Sequence, residues 1–293
     1  MLRALQPKMQ EQAGLSTQKE QLDLFVALVG DVPLRDDREM MSAPMVSIAK
    51  KGQERIEWQG PSGQQVVITS TSDDGIATIW DFDVVIWAIS QLNAAVERGE
   101  MPSPIISFRP YDLMKSIGWC DNMGRVGGRD YERFKAAVSR LRATRIRTSL
   151  RRRGKDRFED FNLLSEFLLD EKDGRPLGAR MTVPAWIYSA VTESRRDVLS
   201  ITPLYFELTS GIDRFLYRLA RRHAGNGLDN PDGWVFSFRD LHKRSGSSMR
   251  YADFAKALRR AHEKQAIPTY ELIEERGANG DPLMRMRFRK LLL

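Results

Sequence analysis

The 293 residues contain one cysteine, Cys120, and three histidines. A lone cysteine excludes an internal disulfide and fits a reducing, cytoplasmic setting. His223, His242 and His262 are dispersed, with no H-x-H pair to hold a metal beside a nucleophilic tyrosine. A nicking chemistry is therefore not expected, and no metal or other cofactor is. No G-x-x-x-x-G-K-[ST] phosphate loop is present, which argues against ATP hydrolysis and, with the missing metal pattern, against an enzyme. An apolar run of about 18 residues is also lacking, as is a signal peptide, so neither a membrane span nor secretion is expected.

Basic charge is plentiful, and it is local. The net charge is +7, and residues 121–160 alone hold 13 Lys/Arg against 6 Asp/Glu, the same excess of +7. A concentrated excess suits a surface for an anionic partner better than general solubility does.

One segment occurs twice. Asp112-Leu113-Met114-Lys115-Ser116-Ile117-Gly118 returns as Asp240-Leu241-His242-Lys243-Arg244-Ser245-Gly246. Both read D-L-x-K-x-x-G, and both follow a Ser-Phe-Arg triplet, Ser107 to Arg109 and Ser237 to Arg239. An amphipathic helix follows each. Tyr131, Phe134 and Val138 of the first match Tyr251, Phe254 and Leu258 of the second. A short helix, a glycine turn and a second helix predict a helix-turn-helix, and a basic chain carrying two of them predicts a DNA-binding protein. The interval from Asp112 to Tyr131 is 8 residues longer than that from Asp240 to Tyr251, so the second unit is the more standard reader and the first is a candidate for dimerisation.

The surrounding patterns predict an α+β fold, two tandem winged-helix domains with a flexible N-terminal tail. Residues 1–45 read as the tail, 46–200 as a first winged-helix domain for dimerisation and DNA backbone contact, and 201–293 as a second for sequence-specific binding. Residues 56–69 alternate around Gly60-Pro61-Ser62-Gly63 and predict a hairpin. Val85, Ile89, Leu92 and Val96 predict a helix begun by Asp81 or Asp83. The first wing is expected at Arg145 to Leu164, with its turn at Arg151-Arg152-Arg153-Gly154-Lys155; Gly174 and Gly178 suggest a further hairpin. The second wing is expected at Tyr270 to Lys290, with Met284, Met286 and Phe288 facing the core and Arg285, Arg287 and Arg289 forming a cationic face. The six tryptophans read as core anchors, and His223 as a core or capping residue.

A helix lying in the major groove turns its apolar side inward and offers donors to base edges and phosphates. In the second unit this selects Arg250, Lys256, Arg259 and Arg260, with Arg239, Lys243 and Arg244 from the preceding helix and Ser247 and Ser248 from the turn. In the first unit it selects Arg125, Arg129, Arg133, Lys135, Arg140 and Arg142, and Arg151, Arg152, Arg153 and Lys155 of the basic turn as phosphate contacts.

Three further segments carry a resemblance: Ala77-Thr78-Ile79-Trp80-Asp81, Arg214-Phe215-Leu216-Tyr217-Arg218 and Arg222-His223-Ala224-Gly225. In this order, together with the duplicated unit, the chain from about Gln21 to Arg289 resembles the plasmid replication initiator protein A family. The resemblance implies binding to repeated double-stranded origin DNA, opening of an adjacent AT-rich element, recruitment of the host initiator ATPase and replicative helicase, and a monomer-dimer equilibrium. Gln21-Leu22-Asp23-Leu24-Phe25 looks like the short peptide with which bacterial proteins dock on the sliding clamp, Leu24 and Phe25 entering an apolar pocket. The alternative is a winged-helix transcriptional repressor without initiator activity.

Overall fold

The structure, a computed structural model, describes residues 24–289 except 29, 31, 52, 152–157, 173–174, 194–197 and 228–229. Among these, the first half runs β1 (Phe25–Val26), β2 (Arg35–Asp37), β3 (Arg55–Gln59), β4 (Gln65–Ser70), α1 (Phe82–Glu97), β5 (Ile105–Phe108), α2 (Pro110–Ser116), α3 (Gly128–Ala143), β6 (Thr144–Thr148), β7 (Glu159–Asn162), β8 (Glu166–Lys172), β9 (Arg175–Thr182), α4 (Ala185–Thr192) and β10 (Val198–Ser200). A 3-10 turn, Pro203–Glu207, leads to α5 (Gly211–His223), β11 (Trp234–Ser237), α6 (Phe238–Ser245), α7 (Tyr251–Lys264), β12 (Tyr270–Arg276) and β13 (Pro282–Phe288). The class is the mixed α+β expected.

The duplication extends beyond the helices. In the first half β5 leads into α2 and α3, and its sheet has the order β1-β5-β9-β8. In the second half β11 leads into α6 and α7, and its sheet has the order β11-β13-β12. In both, the strand that feeds the first helix pairs antiparallel with the second strand of a hairpin, Ile105 with Thr182 and Trp234 with Met286. The hairpin of the first half that matches β12–β13 is therefore β8–β9, the one suggested by Gly174 and Gly178. Its Phe167 packs edge-on against Phe134 of α3, with ring centroids 5.8 Å apart.

This corrects the wing expected at Arg145 to Leu164. Its strands do pair, Arg145 with Asn162 through Thr148 with Glu159, but they belong to another sheet, β3-β4-β6-β7. Ile146 joins Ile56, Trp58, Val66 and Ile68 on that sheet's buried face. Alternation marks a half-buried strand without naming the neighbour it will choose.

The flexible tail is also corrected, over residues 24–45; residues 1–23 lie outside the described residues. β1 pairs in parallel with β5, β2 pairs with β10, and Leu34, Asp36, Asp37, Met40, Met41 and Met45 are buried. Phe25 is 8% exposed, so it is a core residue of β1 and not a side chain held out to a clamp; only Leu24 of the described part of that peptide is open, and Gln21, Leu22 and Asp23 lie outside the described residues. The stretch reads as solvated because its acidic residues look like surface charge, yet Asp36 and Asp37 are buried against arginines. The apolar interior is continuous from Phe25 to Met286, across the boundary expected between residues 200 and 201.

Candidate nucleic-acid interface

The repeated D-L-x-K-x-x-G segment builds the same local geometry twice. Leu113 and Leu241 are fully buried, while Lys115 and Lys243 are exposed. Gly118 and Gly246 close the two short helices with φ of 72° and 60°. That left-handed conformation is costly for residues with a β-carbon, which is why the motif ends in glycine. The second helix is begun by Ser237, whose hydroxyl accepts the Asp240 N–H at 3.1 Å.

On α7, Phe254, Leu258 and Ala261 face the core. Arg250, Lys256, Arg259 and Arg260 are exposed, as the sequence predicts. They differ in what they hold. Arg250 pairs with Asp253 at 3.0 Å and Arg259 with Glu274 at 3.0 Å. Lys243, Lys256 and Arg260 make no ion pair among the described residues. Arg239 lies over the Tyr251 ring at 4.7 Å. Ser248 is exposed, and the Ser247 hydroxyl accepts the Met249 N–H at 3.2 Å, so that side chain shapes the turn.

Arg244 is corrected. It is buried, donating to the Ser42 carbonyl at 2.9 Å and to Asp240 at 2.8 Å. Its spacing from Asp240 (i,i+4) permits that bond, but nothing in the repeat reveals Ser42.

The first helix pair is more heavily committed. Arg125 pairs with Asp121 at 2.9 Å, Arg133 stacks on Trp119 at 3.9 Å, and Lys135 pairs with Glu171 of β8 at 2.7 Å. Arg140 is bidentate to buried Asp81, at 2.8 and 2.7 Å, and so is removed from the expected DNA face. Arg129 and Arg142 are exposed and make no ion pair among the described residues. Arg151 is also corrected, because it is drawn inward to Asp37 and the Trp186 carbonyl and stacks on Trp186 at 3.5 Å. Arg152, Arg153 and Lys155 lie outside the described residues. A cation's place in the sequence does not say whether a carboxylate folds back onto it.

The motifs that carry the family resemblance supply buried bonds. Asp81 accepts from the Thr78 backbone N–H at 2.7 Å, from its hydroxyl at 3.0 Å, and from Arg140. Arg214 reaches Asp83 at 2.6 Å, and Arg218 reaches Asp36 at 2.6 Å, all four side chains being almost wholly buried. Trp119 Nε1 donates to the other Asp83 oxygen at 3.3 Å. Burial pushes the Asp83 carboxyl up to about 7 and Asp37 up to about 6, against the opposing pull of Arg214 and Arg151. These pairs were missed in the sequence. The available signal was a carboxylate inside the apolar stripe of α1 and two arginines one turn apart on an otherwise apolar face of α5.

His223 is half-buried at the C-terminal end of α5, its ring 5.4 Å from that of Trp234 and 5.1 Å from that of Phe236, and burial drives its pKa down to about 3. Trp58, Trp87, Trp119 and Trp186 are core anchors, Trp80 is half-buried, and Trp234 is open. The β12–β13 hairpin, expected as the second wing, buries Met284 and Met286 of its predicted core face and half-buries Phe288, but its cationic face is balanced: Arg285 pairs with Glu275 at 2.6 Å and Arg287 with Glu271 at 2.7 Å. No helix among the described residues is long and apolar enough to cross a membrane.

Comparison with known proteins agrees with this architecture. The chain superposes on two crystal structures of domains 2 and 3 of RctB. One has a TM-score of 0.58 at 13% identity, covering 87% of this chain and 99% of that one; the other has 0.52 at 13%, covering 86% and 97%. These likenesses concern the fold. In sequence, the chain is 30% identical over 266 residues to a protein of Wigglesworthia glossinidia brevipalpis named for a role in replication, covering 88% of this chain and 91% of that protein. A sequence profile of the family described as replication initiator protein A matches residues 35–272, a span that holds all three resemblance motifs, both helix pairs and the buried aspartate–arginine pairs. The chain belongs to the replication initiator protein A family.

Proposed function

We propose that this chain initiates replication by holding repeated origin DNA through two winged-helix units, with α7 lying in the major groove as the sequence reader. The observation that carries this reading is the repeated order of strand, helix, positive-φ glycine, helix and hairpin, with Lys243, Lys256 and Arg260 of the second copy exposed and making no ion pair among the described residues. Buried arginines serve the fold; exposed, unpaired ones are available to phosphates and guanine edges. The first unit contributes backbone contacts through Arg129 and Arg142, and Arg276 near the tip of the β12–β13 hairpin adds a phosphate contact of the second wing. The protein acts by holding DNA and assembling partners, the host initiator ATPase and helicase among them, and it performs no bond chemistry of its own. Its self-association competes with DNA binding through the first unit.

The test is selection of binding sites from random duplex DNA by the full chain, followed by footprinting and titration. A single selected sequence is expected. Lys256→Ala with Arg260→Ala should weaken specific binding by about tenfold or more, the effect of losing one or two base or phosphate contacts. Recovery of no preferred sequence, or unchanged affinity of the double variant, would sink the reading.

A further inference from the structure

The turn of the second helix-turn-helix is held by the first half of the chain. Gly246, which closes α6, offers its carbonyl to Gln53 Nε2 at 3.2 Å. A β-carbon at Gly246 would stand 2.7 Å from Ile56 Cγ2 and 3.1 Å from Pro44 Cβ, so the turn already touches β3 and the segment before it. Two residues earlier, Arg244 reaches back to the Ser42 carbonyl and lies 5.6 Å from the Trp58 ring centre. On the preceding helix, Arg214 and Arg218 reach Asp83 of α1 and Asp36 of β2. The attachments thus come from separate segments of the first half, residues 36–44, β3 and α1. An apolar surface alone permits sliding. Buried, directional bonds do not, because each group that loses its partner bears the desolvation penalty of an unpaired polar atom.

We infer that this seam makes the two helix-turn-helices a caliper of fixed span: the protein sets the separation and rotational phase of α3 and α7, and the DNA must present its two contacted segments at one spacing. Arg244 and Gln53 are positioning residues in this device, acting on specificity without touching DNA. Duplex DNA completes a turn in about 10–10.5 base pairs, so one inserted pair rotates one contacted segment by roughly 35° relative to the other. A flexible connection would absorb that rotation, whereas this seam holds against it.

The inference rests on the two-unit reading of DNA proposed above, and the experiment separates the two. The full chain is titrated on its selected site and on versions with one or two base pairs inserted between the two footprinted segments. The wild type should lose about tenfold or more per inserted pair, the size of one unit's lost base contact. Gln53→Ala with Arg244→Met should shrink that penalty to about threefold or less, whereas Lys256→Ala should lower affinity by the same factor at every spacing. Independently of DNA, spin labels at Ser139 of α3 and Glu263 of α7, in a Cys120→Ser background, should give one narrow distance in the wild type and a broad one in the seam variant. A wild type that tolerates insertions, or a seam variant with unchanged spacing penalty and unchanged distances, overturns the caliper. Failure to select any site, with the label distances behaving as expected, sinks the DNA reading and leaves the rigid seam standing.

Discussion

Arg244 and Lys256 sit on consecutive helices of one unit, and the difference between them is burial. Arg244 is closed in against Ser42, and Lys256 points into solvent without an ion pair among the described residues. Lys256→Ala should therefore lower DNA affinity and leave the unfolding midpoint unchanged, whereas Arg214→Ala, which strands a fully buried Asp83, should cost about 3–5 kcal/mol of stability in urea titration. Equal effects of both changes on stability would contradict this division. Phe25 belongs with the buried group; Phe25→Ala should cost about 3–5 kcal/mol, and a clamp-docking residue would cost almost nothing. At this scale the apolar positions were legible, since Phe134, Phe254, Leu258 and Met286 lie where the periodicity puts them. The engaged cations were not, because Arg140, Arg151 and Arg244 are drawn back onto the protein by carboxylates and carbonyls distant in sequence.

The hairpins carry the lesson at the scale of elements. Both β6–β7 and β8–β9 could be read from alternation and turn residues, but which one joins β5 could not, because pairing across more than 60 residues leaves no local mark. The β8–β9 hairpin carries acidic residues beside its basic ones, and its Glu171 holds Lys135 of α3 at 2.7 Å. Glu171→Gln should release that lysine from its nearer carboxylate, leaving Glu132 at 3.7 Å, and steepen the salt dependence of DNA binding by up to about one unit of slope. An unaltered slope would place Lys135 away from DNA. The seam between α1 and α5 has its own signature in acid. Asp83 keeps its proton in the folded protein up to about pH 7, and in the unfolded chain only to about pH 4. Between those values the folded state binds more protons, so this group's stabilising contribution is full below about pH 4 and is lost as pH rises through 7. Asp83→Asn should flatten the dependence across that window in thermal unfolding measured from pH 4 to 8. A variant with the wild-type slope would show that the carboxyl is already ionised throughout.

For the molecule as a whole, the duplicated unit suggested two bodies and the packing makes one. The interior is continuous, and Arg214, Arg218 and Arg244 of the second half are all buried against the first. Calorimetry should accordingly show one cooperative transition, with matching calorimetric and van't Hoff enthalpies. Residues 201–293 alone would expose three arginines evolved for burial, and the separate fragment should lack fixed tertiary structure. Two resolved transitions, or a folded fragment, would restore the two-body picture. The repeat in the sequence was thus a sound guide to what each half contains. It was silent on how the halves join, because most joining residues lie outside the repeated segments or where the copies differ, as Arg244 differs from Ser116, while Gly246, shared with Gly118, joins through its backbone carbonyl, which no side-chain pattern marks.

The two-residue strand β1 has a consequence for solubility. It lies along β5, with Phe25 beside Ile106 and Val26 beside Ser107, and the Ala27 N–H closes onto the Ser107 carbonyl at 2.8 Å. It therefore acts as a selvedge, finishing a sheet border whose unpaired amides and carbonyls would otherwise recruit strands from other molecules. A chain shortened to begin at Leu28 would bare that border along β5, and light scattering should show it growing into filaments or precipitate at concentrations where the intact protein stays clear.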